Sequence, residues 1–266
     1  MKLHSTAAYI LNPNHNIAVT LIGAGGTGSL MLSRLARLHH ALIACGKVGL
    51  TVSVFDNDRV EEHNVGRQMF TVHDVGEYKS LALVNKINRS FNTTFKAITE
   101  KFTTTKSAKA YLNDYDIPYT NIYITAVDNA PFRIQFQEYF KREEAFQNTS
   151  MGYQKPYYWM DLGNTKVSGQ CILGSTNIEQ PNTDSFIESL PTVIDRFPNL
   201  SEMDTPEIQG NGCSYQSKLE EQSLFVNDAL TAMAAPLLEE LLVKGYIANG
   251  GFFMNLANYK TNPLTL

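Results

Sequence analysis

Ile17-Ala-Val-Thr-Leu-Ile-Gly23-Ala-Gly25-Gly26-Thr-Gly28-Ser29 is the stretch that decides the fold. Its first six residues are rich in apolar side chains and read as a buried strand. A glycine turn follows, and Leu30 to Leu38 then has the apolar spacing of an amphipathic helix. Strand, glycine turn and helix together form a cradle for phosphate. Glycines let the backbone approach an anion closely, and the helix N-terminus turns free N–H groups and its positive dipole end toward it. A second strand, Thr51 to Phe55, delivers Asp56 at its end, where a carboxylate can accept hydrogen bonds from ribose hydroxyls. Gly23-x-Gly25-x-x-Gly28 alone is a weak signal, because a glycine turn can simply pack a helix on a sheet. The strand before it, the helix after it and the acid closing the next strand make nucleotide binding the stronger reading.

The wider chain sets bounds on that reading. At 266 residues it suits one large domain, or one domain with a sizeable insertion. A net charge of −4 and the lack of a basic tail argue against a nucleic-acid binder. Cys45, Cys171 and Cys213 are far apart, which fits a reducing compartment. The first residues lack the apolar core of a signal peptide, and no apolar run reaches membrane-spanning length. The expectation is a cytoplasmic protein that uses neither membrane nor nucleic acid.

Beyond Asp56 lies Asp56-Asn57-Asp58-Arg59-Val60-Glu61-Glu62-His63-Asn64-Val65-Gly66-Arg67-Gln68. A solvated loop is the plain account. Yet it leaves the carboxyl end of a parallel strand, where open α/β sheets hold ligands. Asp74 reads as the N-cap, and Glu77 as its partner, of a helix running to Arg89 and burying Leu81, Ala82, Val84 and Ile87. Lys79 falls in the first turn, where the dipole disfavours a cation unless a phosphate is near. Phe95 to Thr99 reads as a strand, and Lys106 to Leu112 as a short helix. Asn121 to Val127 reads as a buried strand ending in Asp128-Asn129, and a helix from Pro131 to Phe146 includes Arg133. Two acids, Asp56 and Asp128, thus close parallel strands beside a phosphate cradle, a setting for nucleotide and Mg²⁺.

Tyr157 to Leu162 and Val167 to Leu173 alternate as paired strands turned by Gly163-Asn164. From Gly174 to Gly212 the pattern is lost, and between Pro181 and Gly212 six carboxylates accompany a single arginine. A run of this length without periodicity suggests a lid or crossing loop. Cys213 closes it. A long helix from about Leu219 to Val243 follows, with Pro236 as a kink and Gly245 as its stop, and Gly251 to Asn258 reads as a closing strand.

In order, Gly23-Ala-Gly25-Gly26-Thr-Gly28-Ser, Asp56-x-Asp58-x-Val-Glu-x-x-Asn64-x-x-Arg67-Gln68, Asp74-x-Gly76-x-x-Lys79, Asn88 and Asp128-Asn129-x-x-x-Arg133 resemble the ThiF/MoeB superfamily. Its members adenylate ubiquitin-like and sulfur-carrier proteins. The length, the Asn12-Pro13 lead-in and Cys213-Ser-Tyr look most like the ThiF-related member of bacterial PRTRC cassettes. The resemblance implies a single adenylation domain with a Rossmann-like, doubly wound, mostly parallel α/β sheet and a C-terminal antiparallel extension. Residues 17–146 would be the nucleotide-binding half, and 157–266 the carrier-binding half with its crossing loop at 174–218. It implies ATP and Mg²⁺, a ubiquitin-like carrier whose C-terminal carboxylate is adenylated, and a homodimer. By family position Gly23, Gly25, Gly26 and Gly28 form the cradle and Asp56 holds the ribose. Asn64, Arg67 and Lys79 hold the triphosphate, with Gln68 and Asn129 nearby. Asp128 takes the Mg²⁺, Asp58 shapes the loop, and Arg133 orients Asp128 or a phosphate.

Three departures from the family pattern stand out. No arginine precedes Arg34, so the arginine that crosses between subunits in relatives has no counterpart in this arm. No Cys-x-x-Cys pair is present, so no structural zinc is expected. Some members transfer the carrier to a loop cysteine, and Cys213 stands where that nucleophile would be; nothing in the sequence separates a thioester-forming Cys213 from an inert thiol. His63 and His73 are read as surface or packed residues. The acid-rich loop suggests steering of a basic carrier tail, with plain solubility as the alternative. Two other readings remain open: a Rossmann oxidoreductase binding NAD or FAD, and a catalytically silent docking module of the same fold. The first leaves Arg67-Gln68, Lys79 and Asp128-Asn129 unexplained. The second should have lost one or more of them.

Overall fold

The computed structural model describes residues 2–106, 119–146, 152–200 and 223–266. Cys213, the start of the helix expected at Leu219 and most of the Lys106 to Leu112 helix lie outside the described residues.

Ile17–Ile22 is buried along its whole length, as a central parallel strand covered on both faces must be. In chain order the strands are β1 His4–Ser5, β2 Ile17–Ile22, β3 Leu50–Phe55, β4 Lys96–Ile98, β5 Ile122–Thr125, β6 Tyr158–Asn164, β7 Ser168–Ser175, β8 Tyr246–Ile247, β9 Asn249–Asn255 and β10 Lys260–Thr265. The helices are α1 Ala8–Leu11, α2 Gly26–Ala44, α3 Lys79–Phe91, α4 Ala130–Phe146, α5 Val193–Arg196 and α6 Val226–Glu239. Eight strands form one sheet in the order β10-β9-β7-β6-β5-β2-β3-β4, while β1 pairs only with β8. From β6 to β4 all pairings are parallel. From β6 to β10 all are antiparallel. The order reverses between β2 and β5, so the carboxyl ends of these two strands open a crevice, the place where doubly wound sheets bind ligands.

The two sheet faces are filled differently. On one, Leu21, Val52 and Val54 meet Met31, Leu35, Leu83 and Leu238, from α2, α3 and α6. On the other, α4 lays Phe132, Phe136, Tyr139 and Phe140 along one stripe against Phe102, Tyr123 and Trp159. Edge-on packing is common there, as between Tyr123 and Phe136, whose ring centres are 5.2 Å apart.

Several elements depart from the sequence reading. Asp74 does not cap α3. It closes a short 3₁₀ turn, Val72–Asp74, by accepting from the N–H and hydroxyl of Thr71. The helix begins at Lys79, two residues after the expected Glu77, and Leu81 is exposed while Ser80 and Leu83 are buried. Leu81 is an apolar residue beside the buried stripe, not part of it. The reversal after β6 falls at 165–167, beyond Gly163-Asn164, which belong to the strand. The strand anticipated at Gly251 to Asn258 is β9, and β10 beyond it, with its edge position and Pro263, was not anticipated. Helix α6 contains Pro236 and passes into a π-turn, Glu240–Lys244, which Gly245 ends at φ +83°. Lys47 Nζ donates to Leu242 O and Thr6 Oγ1 to Leu241 O, serving carbonyls that the last helical turn leaves open.

Candidate functional site

The crevice at the strand reversal is a cleft of about 1020 Å³. Its floor is the glycine turn, and three of the four glycines there have packing reasons. Gly23 sits at φ +96°, and a Cβ on it would lie 2.5 Å from Ala126 O. A Cβ on Gly26 would strike the Asn227 amide, and one on Gly28 would strike Gly23 O. Gly25 differs. A Cβ there would meet nothing within 4 Å, because it would point into open space in the cleft. A bare backbone facing open space at the N-terminus of α2 is the geometry an anion requires.

Asp56 leaves the end of β3 and bridges back to this turn. Its Oδ2 accepts from Ala24 N at 2.6 Å and its Oδ1 from Asp58 N at 2.8 Å, so each oxygen keeps a lone pair for a further donor. Burial pushes the Asp56 carboxyl above the ordinary carboxylate range. The two N–H groups and the Lys79 charge oppose that shift without cancelling it.

The charged loop is tied down at both ends. Lys79 N donates to Asp58 O, Val60 N to Glu77 O and Gly76 N to Val60 O. These bonds fold the start of α3 back beneath β3. Ser80 Oγ also donates to Asp56 O at 2.8 Å. Lys79 Nζ thereby lies 3.0 Å from Asp58 Oδ2; the lysine is mostly covered, whereas Asp58 is largely exposed. Asn64 is buried, and its Oδ1 accepts from Glu61 N while its carbonyl accepts from Gln68 N. These bonds fix the turn that brings Arg67 and Gln68 to the cleft wall. The Gln68 Oε1 atom is buried with no hydrogen-bond partner among the described residues, an acceptor in the wall that lacks a donor.

Asp128 follows β5, is exposed, and lines the cleft opposite Asp56. Asn129 caps α4, its Oδ1 accepting from Phe132 N at 2.9 Å. Arg133 is buried, with Nε 2.8 Å from Asp161 Oδ1 and Nη2 2.6 Å from Val127 O. It thereby supports Asp128 through the backbone of the preceding residue, and it also lines the cleft. Asp161 also accepts from Thr125 Oγ1, which in turn accepts from Trp159 Nε1, so the ends of β5 and β6 are locked together below the cleft.

Some of the cleft was not singled out from the sequence. Thr27 Oγ1 is 2.9 Å from Asn227 Oδ1 and 3.2 Å from Asn164 Oδ1, joining the first turns of α2 and α6 to the end of β6. Lys101, Lys166 and Lys260 also line the cleft. Thr27 stands inside the glycine motif and could have been noticed there. Asn227 and the lysines reach the cleft from segments with no local signature.

The donor set suits a nucleotide with magnesium. One carboxylate at a strand end, next to space for phosphate oxygens and water, is the usual protein share of a Mg²⁺ site. Among the described residues, no group of three or more His, Cys, Asp or Glu side chains forms a metal cluster. Burial raises the pKa of the Cys171 thiol, as its place in β7 implies, and Cys45 is exposed.

A doubly wound sheet, a glycine turn at its switch point and facing strand-end acids define a class of α/β proteins with a ligand crevice. Within that class the chain belongs to the ThiF family, whose model matches residues 13–171. Its fold is similar to that of PaaA, with a TM-score of 0.58 at 14% identity over 94% of the chain. It is also similar to E. coli MccB, with a TM-score of 0.56 at 16% identity over 94% of the chain. The structure of E. coli MccB with ATP gives a TM-score of 0.55 at 14% identity over 96% of the chain. The chain spans 64% of the length of each of these proteins. No curated protein matches its sequence. Among the described residues, no helix is long and apolar enough to cross a membrane.

Proposed function

We propose that the protein is an ATP-dependent adenylyltransferase acting on the C-terminal carboxylate of a ubiquitin-like or sulfur-carrier-like protein. The supporting observation is convergence. Asp56 and Arg67 from the loop after β3, Lys79 from the start of α3 and Asp128 from the end of β5 line one cleft, whose floor is a glycine turn with open space above Gly25. The relatives agree in kind: E. coli MccB has been crystallised with ATP, and with the peptide MccA together with AMPCPP.

In the proposed reaction, a carboxylate oxygen of the carrier forms a bond to the α-phosphorus of ATP. The bond to the bridging oxygen breaks, and pyrophosphate leaves. Such transfers depend mostly on positioning and charge neutralisation. Asp56, ionised and anchored by two N–H groups, accepts from the ribose hydroxyls. The first turn of α2 presents its N–H groups to phosphate across Gly25. Arg67 and Lys79 neutralise the triphosphate, with Lys79 exchanging its exposed partner Asp58 for phosphate oxygen. Asn64 and Gln68 complete that wall. Asp128, with Asn129 beside it, would hold Mg²⁺, which when bound draws charge from the phosphate oxygens.

The same reading extends to finer points. Residues 157–266 bear the carrier-binding surface. Cys213 accepts the carrier as a thioester in a following step, and the working unit is a cytoplasmic homodimer. The length, the lead-in and Cys213 favour the ThiF-related member of PRTRC cassettes.

Calorimetric titration with ATP and Mg²⁺, and separately with NADH, on the wild type and Lys79→Ala tests the reading. Magnesium-dependent ATP binding weakened about ten- to a hundredfold by Lys79→Ala supports it, as expected for loss of a charged hydrogen bond. NADH binding indifferent to Lys79 would replace it with the oxidoreductase. Binding of neither would leave a docking module.

A further inference from the structure

The cleft continues beyond the glycine turn along the antiparallel extension, and its walls there have an uneven chemistry. The β6–β7 reversal and the β9–β10 reversal lie side by side at the carboxyl edge of the sheet. Ser168 pairs with Asn255, which pairs with Lys260, and Leu256 N donates to Val167 O. Lys166 and Lys260 sit on these tips and line the cleft. Three asparagines around them spend their side-chain oxygens internally. Asn255 Oδ1 accepts from Ala257 N and Asn258 Oδ1 from Lys260 N, while Asn164 Oδ1 lies 3.2 Å from the Thr27 hydroxyl, whose single hydrogen it shares with Asn227 Oδ1. Each keeps its N–H₂ as a donor, and one lone pair of its oxygen. Among the described residues, every carboxylate lining the cleft, namely Asp56, Asp58 and Asp128, belongs to the nucleotide side. The acids of the long stretch after β7 that are described, Glu179, Asp184, Glu188 and Asp195, do not line the cleft, and Asp195 is bound to Thr192. The extension thus offers hydrogen-bond donors and positive charge with no acid among the described lining residues.

We propose that this arm of the cleft receives an extended peptide segment bearing carboxylate side chains upstream of the reacting C-terminus. The inference rests on the adenylation reading and specifies its substrate. It reverses the expectation of a basic tail steered by an acidic loop. A basic tail would meet two lysines and neutral hydroxyl and amide groups, with no described carboxylate to pair its charges. An acidic one would find a donor at each step. Both lysines are exposed, so their contribution is modest and sensitive to salt.

The probes are two fluorescent decapeptides sharing a Gly-Gly carboxyl end, one with three glutamates and one with three lysines four to seven residues before it. Anisotropy is read with AMPCPP and Mg²⁺ present, on the wild type and on Lys166→Glu/Lys260→Glu. The glutamate peptide is expected to bind about three- to tenfold more tightly at low ionic strength, with the preference lost or inverted in the charge-reversed variant. Equal binding, no binding of either peptide, or a lysine preference in the wild type overturns the proposal. Calorimetry with AMPCPP alone on both proteins separates the two levels. Failure to bind nucleotide in the wild type counts against the adenylation reading, whereas normal nucleotide binding with no glutamate preference counts against the substrate inference only.

Discussion

Gly25→Ala and Gly28→Ala place the same methyl three residues apart and should fail in opposite ways. At Gly28 the added Cβ runs into Gly23 O, a backbone atom that moves only with the turn. Overpacking of this kind costs about 1–3 kcal/mol. Alanine in a helix recovers roughly 0.5–1 kcal/mol, which leaves a net loss of about 1–2 kcal/mol. For a chain of this size that lowers Tm by roughly 2–8 °C. At Gly25 φ is −75°, and nothing lies within 4 Å of the new methyl. There the loss of unfolded-state freedom adds about 0.4–1 kcal/mol, which the ψ of −150°, at the margin of what alanine adopts, offsets, so Tm changes little. The same methyl, however, occupies the path by which phosphate would reach the N–H groups of α2. Losing one charged hydrogen bond costs about 1.5–3 kcal/mol, a ten- to hundredfold drop in ATP affinity. Thermal unfolding and calorimetric titration on both variants decide the matter. Undiminished ATP affinity in Gly25→Ala would refute the phosphate-cradle reading, and wild-type stability in Gly28→Ala would refute the packing account.

Arg133→Met leaves Asp161 buried without its cation and should cost about 3–5 kcal/mol, read as a shifted midpoint in urea; a loss under 1 kcal/mol would mean that Asp161 finds another partner. His4 is fully buried between Ile187 O and the Tyr158 hydroxyl, and burial lowers its pKa below the ordinary 6.5. The folded state therefore binds fewer protons than the unfolded chain below about that pH. The stability linked to His4 is complete above pH 6.5 and is lost as pH falls through it toward the folded value. His4→Gln should flatten the Tm–pH curve between about pH 7 and 5, and curves that stay parallel would remove this account. Asn227→Ala and Thr27→Val should each weaken ATP binding, and combined they should fall short of the sum by about 0.5–1.5 kcal/mol, since both break one hydrogen bond. Full additivity in the double-mutant cycle would show that the bond does not steady the glycine turn.

The parallel half of the fold was legible because its signals are local. Strands β2, β3 and β5 are runs of four to six mostly apolar residues, with Asp56 directly after β3 and Asp128 three residues after β5. The glycine turn needs no distant partner to be recognised. Errors arose where local signals compete. Asp74 followed by Glu77 satisfies the capping pattern, but Thr71 precedes Asp74 at the spacing of a tighter 3₁₀ turn, and that turn forms instead. Lys79, which the capping reading placed in the first turn, is in fact the first helical residue, its N–H bonded to Asp58 O. The puzzle of a cation at a helix start has a partial answer in the Asp58 carboxylate 3.0 Å away.

The antiparallel half gave a weaker signal for a physical reason. Its cleft-lining residues lie on reversals and on an edge strand, where a polar side chain is equally at home facing water. Asn164, Asn255 and Asn258 each look like ordinary turn residues; Asn255 and Asn258 serve as such, each accepting from an N–H two residues on, whereas Asn164 ends β6 and meets Thr27 from a distant segment. Only the register between β7, β9 and β10 brings them to one rim, and register is not written in any short window. The main partner of Arg133 is hidden from the sequence for a related reason. Its spacing from Asp128 is a family pattern, but its guanidinium is claimed by Asp161, nearly thirty residues later on the neighbouring parallel strand. A buried carboxylate at that depth outcompetes a solvated one, because it has no water to fall back on. The arginine therefore holds the strand ends together, and Asp128, which has no such claim upon it, keeps its carboxylate in the cleft.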